Sequence, residues 1–198
     1  MKISIILPVY NEEESILILI DELINLKEIK NDLKEIIFID DGSTDNTKKI
    51  LDECAEKNNL IKVISLVKNF GQTAAISAGI DYSTGEILVT MDADLQNDPK
   101  DIPQLLKKLE GGFDVVCGWR KERKDKYFSR ILPSKIANWI ISKISKVPLH
   151  DYGCTLKIFK RHILDGIKLY GEMHRFIPIY IAWNGGKITE SPVKHRFR

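Results

Sequence analysis

Residues 87–96, Ile87-Leu88-Val89-Thr90-Met91-Asp92-Ala93-Asp94-Leu95-Gln96, form an apolar run that ends in two carboxylates and an amide. The first five residues have strand character. Because the chain turns where such a strand ends, side chains at this i, i+2 spacing can converge on one cation. Oxygen ligands of this kind suit Mg²⁺ or Mn²⁺ that already holds phosphate groups. An ordinary surface acidic pair is the competing interpretation, and the buried strand before the pair favours the metal site.

Strand and helix signals alternate through the first half of the chain. Apolar strands are predicted at residues 3–7, 35–39, 61–66, 86–91 and 115–117, and helices at 12–26, 43–57, 73–83 and 99–110. After residue 118 the alternation stops, and helical segments are predicted near 134–145 and 161–170. The pattern predicts one α/β domain with a mostly parallel central sheet and helices on both faces.

Polar clusters follow three of the predicted strands. They are Pro8 to Glu12, Asp40 to Ser43, and Asp92 to Asp94. Ligands of parallel α/β sheets bind at the carboxyl ends of the strands, so the three clusters predict one shared site.

Two nucleotide-binding fingerprints are missing from the sequence. No G-x-G-x-x-G follows the first strand and no G-x-x-x-x-G-K-[ST] occurs, which excludes a Rossmann dinucleotide site and a P-loop. Asp40 or Asp41 can accept a hydrogen bond from a nucleobase N–H or a ribose hydroxyl. Asp-Gly-Ser-Thr is also ordinary turn and capping chemistry, and both interpretations stay open here.

Charge is distributed unevenly along the chain. The net charge of +2 combines a local +7 between Arg120 and Lys146 with −5 elsewhere. This basic stretch includes a predicted amphipathic helix after Pro133, with an apolar stripe at helical spacing made of Ile136, Trp139, Ile140 and Ile144. Such a helix indicates an anionic membrane surface or a phosphate-bearing ligand. Packing of the apolar stripe on the core is the alternative.

Length and composition indicate an ordinary globular domain. The chain has 198 residues, of which 43% are hydrophobic and 29% charged. Its three cysteines are widely spaced and form no C-x-x-C, so a reducing compartment is expected, with neither a disulfide framework nor a structural zinc site. The first residues enter a strand directly and no apolar run reaches ~20 residues, so neither a signal peptide nor a membrane helix is predicted.

Several ordered motifs carry a family resemblance. Leu7 to Glu12, Asp40 to Asp45, Asn69 to Gln72 and Asp92 to Gln96 are similar in order and spacing to family 2 glycosyltransferases with the GT-A fold. Later segments narrow the resemblance to polyprenyl-phosphate glycosyltransferases of the dolichyl-phosphate mannose synthase and undecaprenyl-phosphate glucosyltransferase type. These segments are Asp151 to Cys154, Gly171 to Phe176, and Val193 to Arg196.

The resemblance implies a reaction and the part of the chain that would bind each substrate. A hexose would pass from a UDP- or GDP-linked sugar to a polyprenyl phosphate, with inversion at the anomeric carbon and Mg²⁺ or Mn²⁺ as cofactor. Residues 1–118 would bind the nucleotide-sugar and residues 119–198 the acceptor. An anionic membrane surface is the further expected partner. Nucleic acid is not expected, and homo-oligomer formation is left open.

The same resemblance implies roles for individual residues. The implied metal ligands are Asp92, Asp94 and Gln96. The implied donor-binding residues are Pro8, Tyr10, Glu12, Asp40, Asp41, Asn69, Gly71, Asp92, Ala93 and Arg198. The implied acceptor-phosphate residues are Arg120, Arg130 and Ser134. The implied catalytic residues are Asp94, Asp151 and Arg130, and Gly153 after Asp151 would let the backbone approach a ligand closely.

The sequence departs from the family pattern at its end. Members usually continue with a G-x-S-K segment and transmembrane helices, whereas this sequence stops at Arg198. The expectation is a soluble portion of a longer protein, peripheral at the cytoplasmic face of the membrane.

Other classes of protein remain as rivals. A GT-A enzyme with a soluble glycan or protein acceptor is the nearest alternative, and the basic amphipathic stretch argues against it. A nucleotidyltransferase would have a Gly-rich N-terminal loop with Arg and Lys, which residues 7–15 lack. An inactive scaffold is disfavoured by Asp92, Asp94 and Asp151.

Overall fold

The computed structural model describes residues 1–121 and 132–197. Within these residues, seven strands form one sheet in the order β3-β2-β1-β4-β6-β5-β7. The strands are β1 (Ile3–Val9), β2 (Leu33–Asp40), β3 (Ile61–Ser65), β4 (Ile87–Thr90), β5 (Val115–Trp119), β6 (Lys157–Lys160) and β7 (Ile188–Pro192). Only β6 runs antiparallel to its neighbours, β4 and β5, so the predicted mostly parallel sheet is confirmed.

Helices cover both faces of the sheet. The α-helices are α1 (Ile16–Ile24), α2 (Thr47–Lys57), α3 (Gln72–Tyr82), α4 (Ile102–Glu110), α5 (Leu132–Ser145) and α6 (Ile177–Trp183). In the part of the chain that the structure describes, three short 3₁₀ turns are Pro99–Asp101, Arg161–Leu164 and Met173–Arg175. None of the helices in the described parts of the chain combines the length and the apolar character needed to cross a bilayer.

Side chains that alternate across the strands build two cores. Ile5 and Phe38 pack on one face, beneath α1 and α4, and Ile6 and Ile39 pack on the other, beneath α3 and α6. Strands buried on both faces are mostly apolar, which explains the hydrophobic runs in β1 and β2; the buried Ser4 and Glu35 are hydrogen-bonded to each other. In α1, the inward positions recur at helical spacing and are buried.

Helix starts differ from the sequence prediction. Helix α1 begins at Ile16 because Glu12 to Ser15 form a preceding turn. Helix α2 begins at Thr47, so the predicted start at Ser43 or Thr44 is wrong. The amide of Thr47 donates instead to Asp45 Oδ1 at 3.0 Å. Ser43 and Thr44 bond to the loop after β1: Ser43 Oγ accepts from the Asn11 amide, and the Thr44 amide donates to the Asn11 side chain.

The second half of the chain contains strands that the sequence did not predict. Strands β6 and β7 were missed, and the helix predicted at residues 161–170 is a single 3₁₀ turn, Arg161–Leu164. Strand β6 has four residues with lysine at both ends, and β7 contains Glu190 and Pro192 rather than an apolar run. Both rely on pairing with neighbouring strands rather than on local propensity.

Candidate active site

An open pocket of about 240 Å³ lies where the carboxyl ends of β1, β2 and β4 meet the start of α3. Its lining residues are Pro8, Val9, Tyr10, Glu12, Asp41, Asn69, Gly71, Gln72, Asp92, Ala93 and Asp94. The lining brings together eight of the nine donor-side residues that were expected and that lie within the described parts of the chain. Asp40 is the ninth and does not line the pocket.

The loops after β1 and β2 hold each other in place. Asn11 adopts a left-handed conformation with φ +54°, which asparagine tolerates better than most residues. Its amide donates to Ser43 Oγ at 3.0 Å, and its side-chain oxygen accepts from the Thr44 amide at 2.8 Å. Glu12 is fixed in the same way, because its amide donates to Thr47 Oγ1 at 2.8 Å.

The two carboxylates at the end of β2 are both buried and organise different turns. Asp40 Oδ1 accepts a 3.0 Å hydrogen bond from the Ser43 amide and closes its own turn. Asp41 reaches across to the start of α3, where Oδ1 accepts from the Phe70 amide at 2.7 Å and Oδ2 from the Gly71 amide at 2.8 Å. Asp41 therefore shapes the pocket wall as well as lining it.

Gly42 allows this close approach. It has φ +73°, and a β-carbon there would lie 2.6 Å from the backbone carbon of Lys68. Any other residue would push the β2 turn away from the segment that carries Asn69.

Asp92 is held by two side chains. Gln72 Nε2 donates to Oδ1 at 2.6 Å, and Thr155 Oγ1 donates to Oδ2 at 2.7 Å. Burial raises the pKa of Asp92 and the nearby Asp94 charge raises it further, while the hydrogen bond from Thr155 and the charge of Arg120 act in the opposite direction. A cation beside these carboxylates would therefore be stabilised.

The turn after β4 orients Asp94. Asp94 Oδ1 accepts from the Gln96 amide at 3.1 Å, and Leu95 between them has φ +63°. A left-handed conformation at leucine costs roughly 1–2 kcal/mol, so the surrounding contacts must impose it. Gln96 is half-buried and is not among the pocket-lining residues.

The donor set fits a hard divalent cation. Two carboxylates line one pocket, and one of them has a raised pKa from burial and from the other's charge. Across residues 1–121 and 132–197, no group of three or more His, Cys, Asp or Glu side chains is arranged to hold a metal. Asp92 and Asp94 would therefore hold such an ion together with oxygen atoms of a ligand.

Arg120 and Asp151 form a buried pair beside this site. Arg120 Nε donates to Asp151 Oδ2 at 2.7 Å, and Nη2 donates to Oδ1 at 3.0 Å. Burial lowers the pKa of Arg120, but the hydrogen bonds and charge of Asp151 outweigh it and the net pKa is raised. Arg120 was predicted to bind the acceptor phosphate and Asp151 to act in catalysis. In the structure these two side chains are hydrogen-bonded to each other.

Three residues near the site were not predicted as site residues from the sequence. Gln72 and Thr155 orient Asp92, and Asn97 Nδ2 donates to Thr155 Oγ1 at 3.1 Å. Gln72 is the last residue of one of the motifs that carry the resemblance, so the sequence indicated its importance but not its hydrogen bond to Asp92. Thr155 and Asn97 gave no comparable signal.

His174 is buried behind the start of α3. Its Nδ1 lies 2.6 Å from Thr73 Oγ1, one residue after Gln72. Burial lowers the pKa of His174 to about 4, helped by the positive charge of Lys157. The imidazole is therefore neutral at pH 7, and it contacts the helix turn rather than the pocket.

The acceptor side is only partly described. Ser134 lies half-buried in the first turn of α5. Arg130 and Arg198, expected at the acceptor phosphate and the donor respectively, lie outside the described residues. Helix α5 exposes the predicted apolar stripe: Ile136 is 53% exposed, Trp139 63%, Ile140 44% and Ile144 77%. The alternative in which this stripe packs on the core is therefore wrong.

Similarity to known proteins places the chain in a family. The family model "Glycosyl transferase family 2" matches residues 4–168, and the chain belongs to that family. Dodecaprenyl-phosphate galacturonate synthase of Rhizobium johnstonii is 44% identical over 202 residues, covering 100% of this chain and 60% of that protein. Undecaprenyl-phosphate 4-deoxy-4-formamido-L-arabinose transferase of Proteus mirabilis is 41% identical over 200 residues, with the same coverage. The chain thus spans 60% of the length of these relatives.

Solved structures share the fold. A mannosyltransferase from Pyrobaculum calidifontis in complex with GDP-Man and Mn²⁺ matches with a TM-score of 0.72 at 22% identity, over 96% of this chain and 55% of that one. Glucosyl-3-phosphoglycerate synthase from Mycobacterium tuberculosis, in complex with Mn²⁺ and UDP-glucose, matches with a TM-score of 0.75 at 20% identity, over 100% of this chain and 72% of that one. The fold is therefore the GT-A fold.

Proposed function

We propose that this chain is the catalytic unit of a metal-dependent, inverting glycosyltransferase that moves a hexose from a UDP- or GDP-linked sugar to a polyprenyl phosphate. The observation that carries the proposal is the pocket with Asp92 and Asp94 at the carboxyl edge of the sheet, in a chain 44% identical to a dodecaprenyl-phosphate galacturonate synthase. Residues 1–118 would hold the donor and residues 119–198 the acceptor.

The donor nucleotide would lie between the loops after β1 and β2. Tyr10 offers a half-exposed ring at the pocket mouth. The Asp41 oxygens each accept one backbone hydrogen bond, and a carboxylate oxygen has a second acceptor site for a ribose hydroxyl or a base N–H. Asp40 would support this end of the pocket through its turn.

The diphosphate would lie beside Asp92 and Asp94. Mn²⁺ or Mg²⁺, when bound there, supplies positive charge to the departing diphosphate, which is the largest electrostatic demand of the reaction. Asp92 is oriented for this by Gln72 and Thr155, and Asp94 by the Gln96 amide. Gln96 itself would contribute through its turn or its side-chain oxygen.

The acceptor phosphate needs little activation. A phosphate monoester has a second pKa near ~6, so it is largely dianionic at pH 7 and can attack the anomeric carbon without a strong base. The protein must position it in line and offset its charge. Arg130 and Ser134 are proposed for this role, and Arg120 adds positive charge while its guanidinium is held by Asp151.

The names of two relatives support a polyprenyl phosphate as the acceptor. The relatives from Rhizobium johnstonii and Proteus mirabilis are a dodecaprenyl-phosphate synthase and an undecaprenyl-phosphate transferase by name. The exposed stripe on α5 supports contact with a membrane at its cytoplasmic face, where such a lipid would be presented.

A transfer assay tests the proposal. The chain is incubated with Mn²⁺, radiolabelled UDP- and GDP-sugars, and either a short-chain polyprenyl phosphate or soluble glycans. Label should move into the organic phase with the lipid acceptor and stay with the nucleotide when EDTA is added. Transfer to the soluble acceptors alone would overturn the lipid assignment, and hydrolysis or transfer unaffected by EDTA would overturn the metal dependence.

A further inference from the structure

Residues 193–197, called here the strap, run along the turn that follows the paired carboxylates. His195 and Asn97 form an antiparallel bridge, and the Arg196 amide donates to the Gln96 carbonyl at 2.9 Å. The Lys194 amide donates to Asp101 Oδ2 at 2.7 Å. The strap therefore fixes the backbone of residues 96–101 from outside the pocket.

The side chain of Arg196 joins this turn to α1. Its Nη1 lies 2.9 Å from each carboxylate oxygen of Glu22, and its Nη2 lies 2.8 Å from Asp98 Oδ1. Asp98 is buried, so its charge needs a cation close by. Lys194 Nζ is 3.7 Å from Asp98 Oδ2 and 70% exposed, which makes it the weaker partner.

Gln96 connects the strap to the active site. Its carbonyl accepts from Arg196, and its amide donates to Asp94 Oδ1. Leu95 beside it is held in a left-handed conformation that an unrestrained chain would leave. A loosened strap would therefore let residues 95–96 relax and release the Asp94 carboxylate.

We infer that Arg196 is a positioning residue: it clamps the turn of residues 95–98 to α1 and so holds Asp94 in the orientation that binds a cation–diphosphate ligand. Arg196 does not line the pocket: its side chain acts through Asp98 and Glu22, and its backbone amide through Gln96. The identity of the ligand rests on the proposed function, whereas the clamp rests on the contacts above.

Two measurements on Arg196→Ala test the inference, with Lys194→Ala as the matched control. Lys194 is on the same strap and faces the same Asp98, but its variant keeps the contacts of the Arg196 side chain with Glu22 and Asp98. Both variants keep the backbone bonds of the strap. Hydrogen exchange of the ligand-free protein should show faster exchange of residues 94–98 in Arg196→Ala alone. Calorimetric titration with UDP and GDP in Mn²⁺ should show affinity weakened about tenfold or more in Arg196→Ala, as for other outer partners of metal ligands.

The outcomes separate the clamp from the proposed function. Unchanged exchange in Arg196→Ala, or unchanged Mn²⁺-dependent affinity in a variant that has loosened, would overturn the inference. A wild-type protein that binds neither nucleotide would contradict the proposed function. In that case the hydrogen-exchange rates of residues 94–98 alone would test whether Arg196 holds this turn. Glu22→Gln weakens the contact of Arg196 with α1 and leaves the strap unchanged in sequence, so smaller changes in exchange rate and nucleotide affinity are expected, in the same direction. If Arg196→Ala does not fold, Glu22→Gln becomes the deciding variant.

Discussion

Hydrogen bonds from the start of α3 orient two pocket carboxylates. Asp41 accepts from the amides of Phe70 and Gly71, and Asp92 accepts from Gln72. Both side chains are thus positioned by the fold itself, which reduces the ordering needed when a charged ligand binds.

Protonation of His174 should destabilise the fold at mildly acidic pH. Its folded pKa of about 4 lies below the ordinary 6.5, so the unfolded chain binds the proton more readily. The stability due to the neutral imidazole is therefore fully present above pH 6.5 and is lost as the pH falls towards 4. Urea unfolding should show a loss of about 2 kcal/mol between pH 7.5 and pH 5.

A variant without the titrating ring isolates this effect. His174→Asn keeps an acceptor near Thr73 Oγ1 and should flatten the stability profile between pH 6.5 and pH 5. Glu35, whose pKa is lowered to about 2 by Lys62 and other hydrogen bonds against the effect of burial, titrates in a lower window. An equally steep profile in His174→Asn would assign the loss to other groups.

Asp151→Asn should separate nucleotide binding from sugar transfer. The substitution removes a charge from the buried pair with Arg120, so a stability loss of about 3 kcal/mol is expected. Nucleotide affinity should persist because Asp151 does not line the pocket proposed for the donor, while transfer to the lipid should nearly cease. The double variant Asp151→Asn, Arg120→Gln should recover stability without recovering transfer. Full turnover by Asp151→Asn would remove Asp151 from the mechanism.

At the scale of elements, the features that were predicted correctly depend on local sequence patterns, and those that were missed depend on contacts between residues far apart in the chain. Strands β1, β2 and β4 were recognisable because their burial on both faces makes them mostly apolar, and the polar residues at the strand ends then located the pocket. Strands β6 and β7 form through pairing with distant partners, and no local pattern revealed them. The Arg120–Asp151 and Gln72–Asp92 contacts were missed for the same reason, since they join residues 31 and 20 positions apart.

Helix α5 should bind anionic membranes through its exposed stripe. Trp139 and Ile144 face outward, and Lys143 and Lys146 are exposed near them. Trp139→Ala should weaken binding to liposomes rich in anionic lipid by about 1–2 kcal/mol, and binding of the wild type should fall steeply with added salt. Leu17→Ala is the control, because Leu17 is an exposed apolar residue on α1. Equal binding by all three proteins would leave the stripe without a membrane role.

At the scale of the whole molecule, the sheet separates two chemical environments. The side formed by β3, β2, β1 and β4 carries the pocket proposed for the donor, and the β6-β5-β7 side carries Arg120, which follows β5. The Arg120–Asp151 pair lies between them, close enough for the charge of Arg120 to lower the pKa of Asp92. A donor and an acceptor bound on the two sides would meet beside the paired carboxylates.

The most direct test of the central claim is calorimetric titration of UDP and GDP into the wild-type chain and into Asp94→Asn, with Mn²⁺ and with EDTA. Wild-type protein should bind one of the nucleotides in Mn²⁺ and lose that binding in EDTA. Asp94→Asn should melt like the wild type, because Asp94 accepts only the Gln96 amide among the bonds described above, yet show no metal-dependent affinity. Undiminished Mn²⁺-dependent binding by folded Asp94→Asn would contradict the assignment of this site.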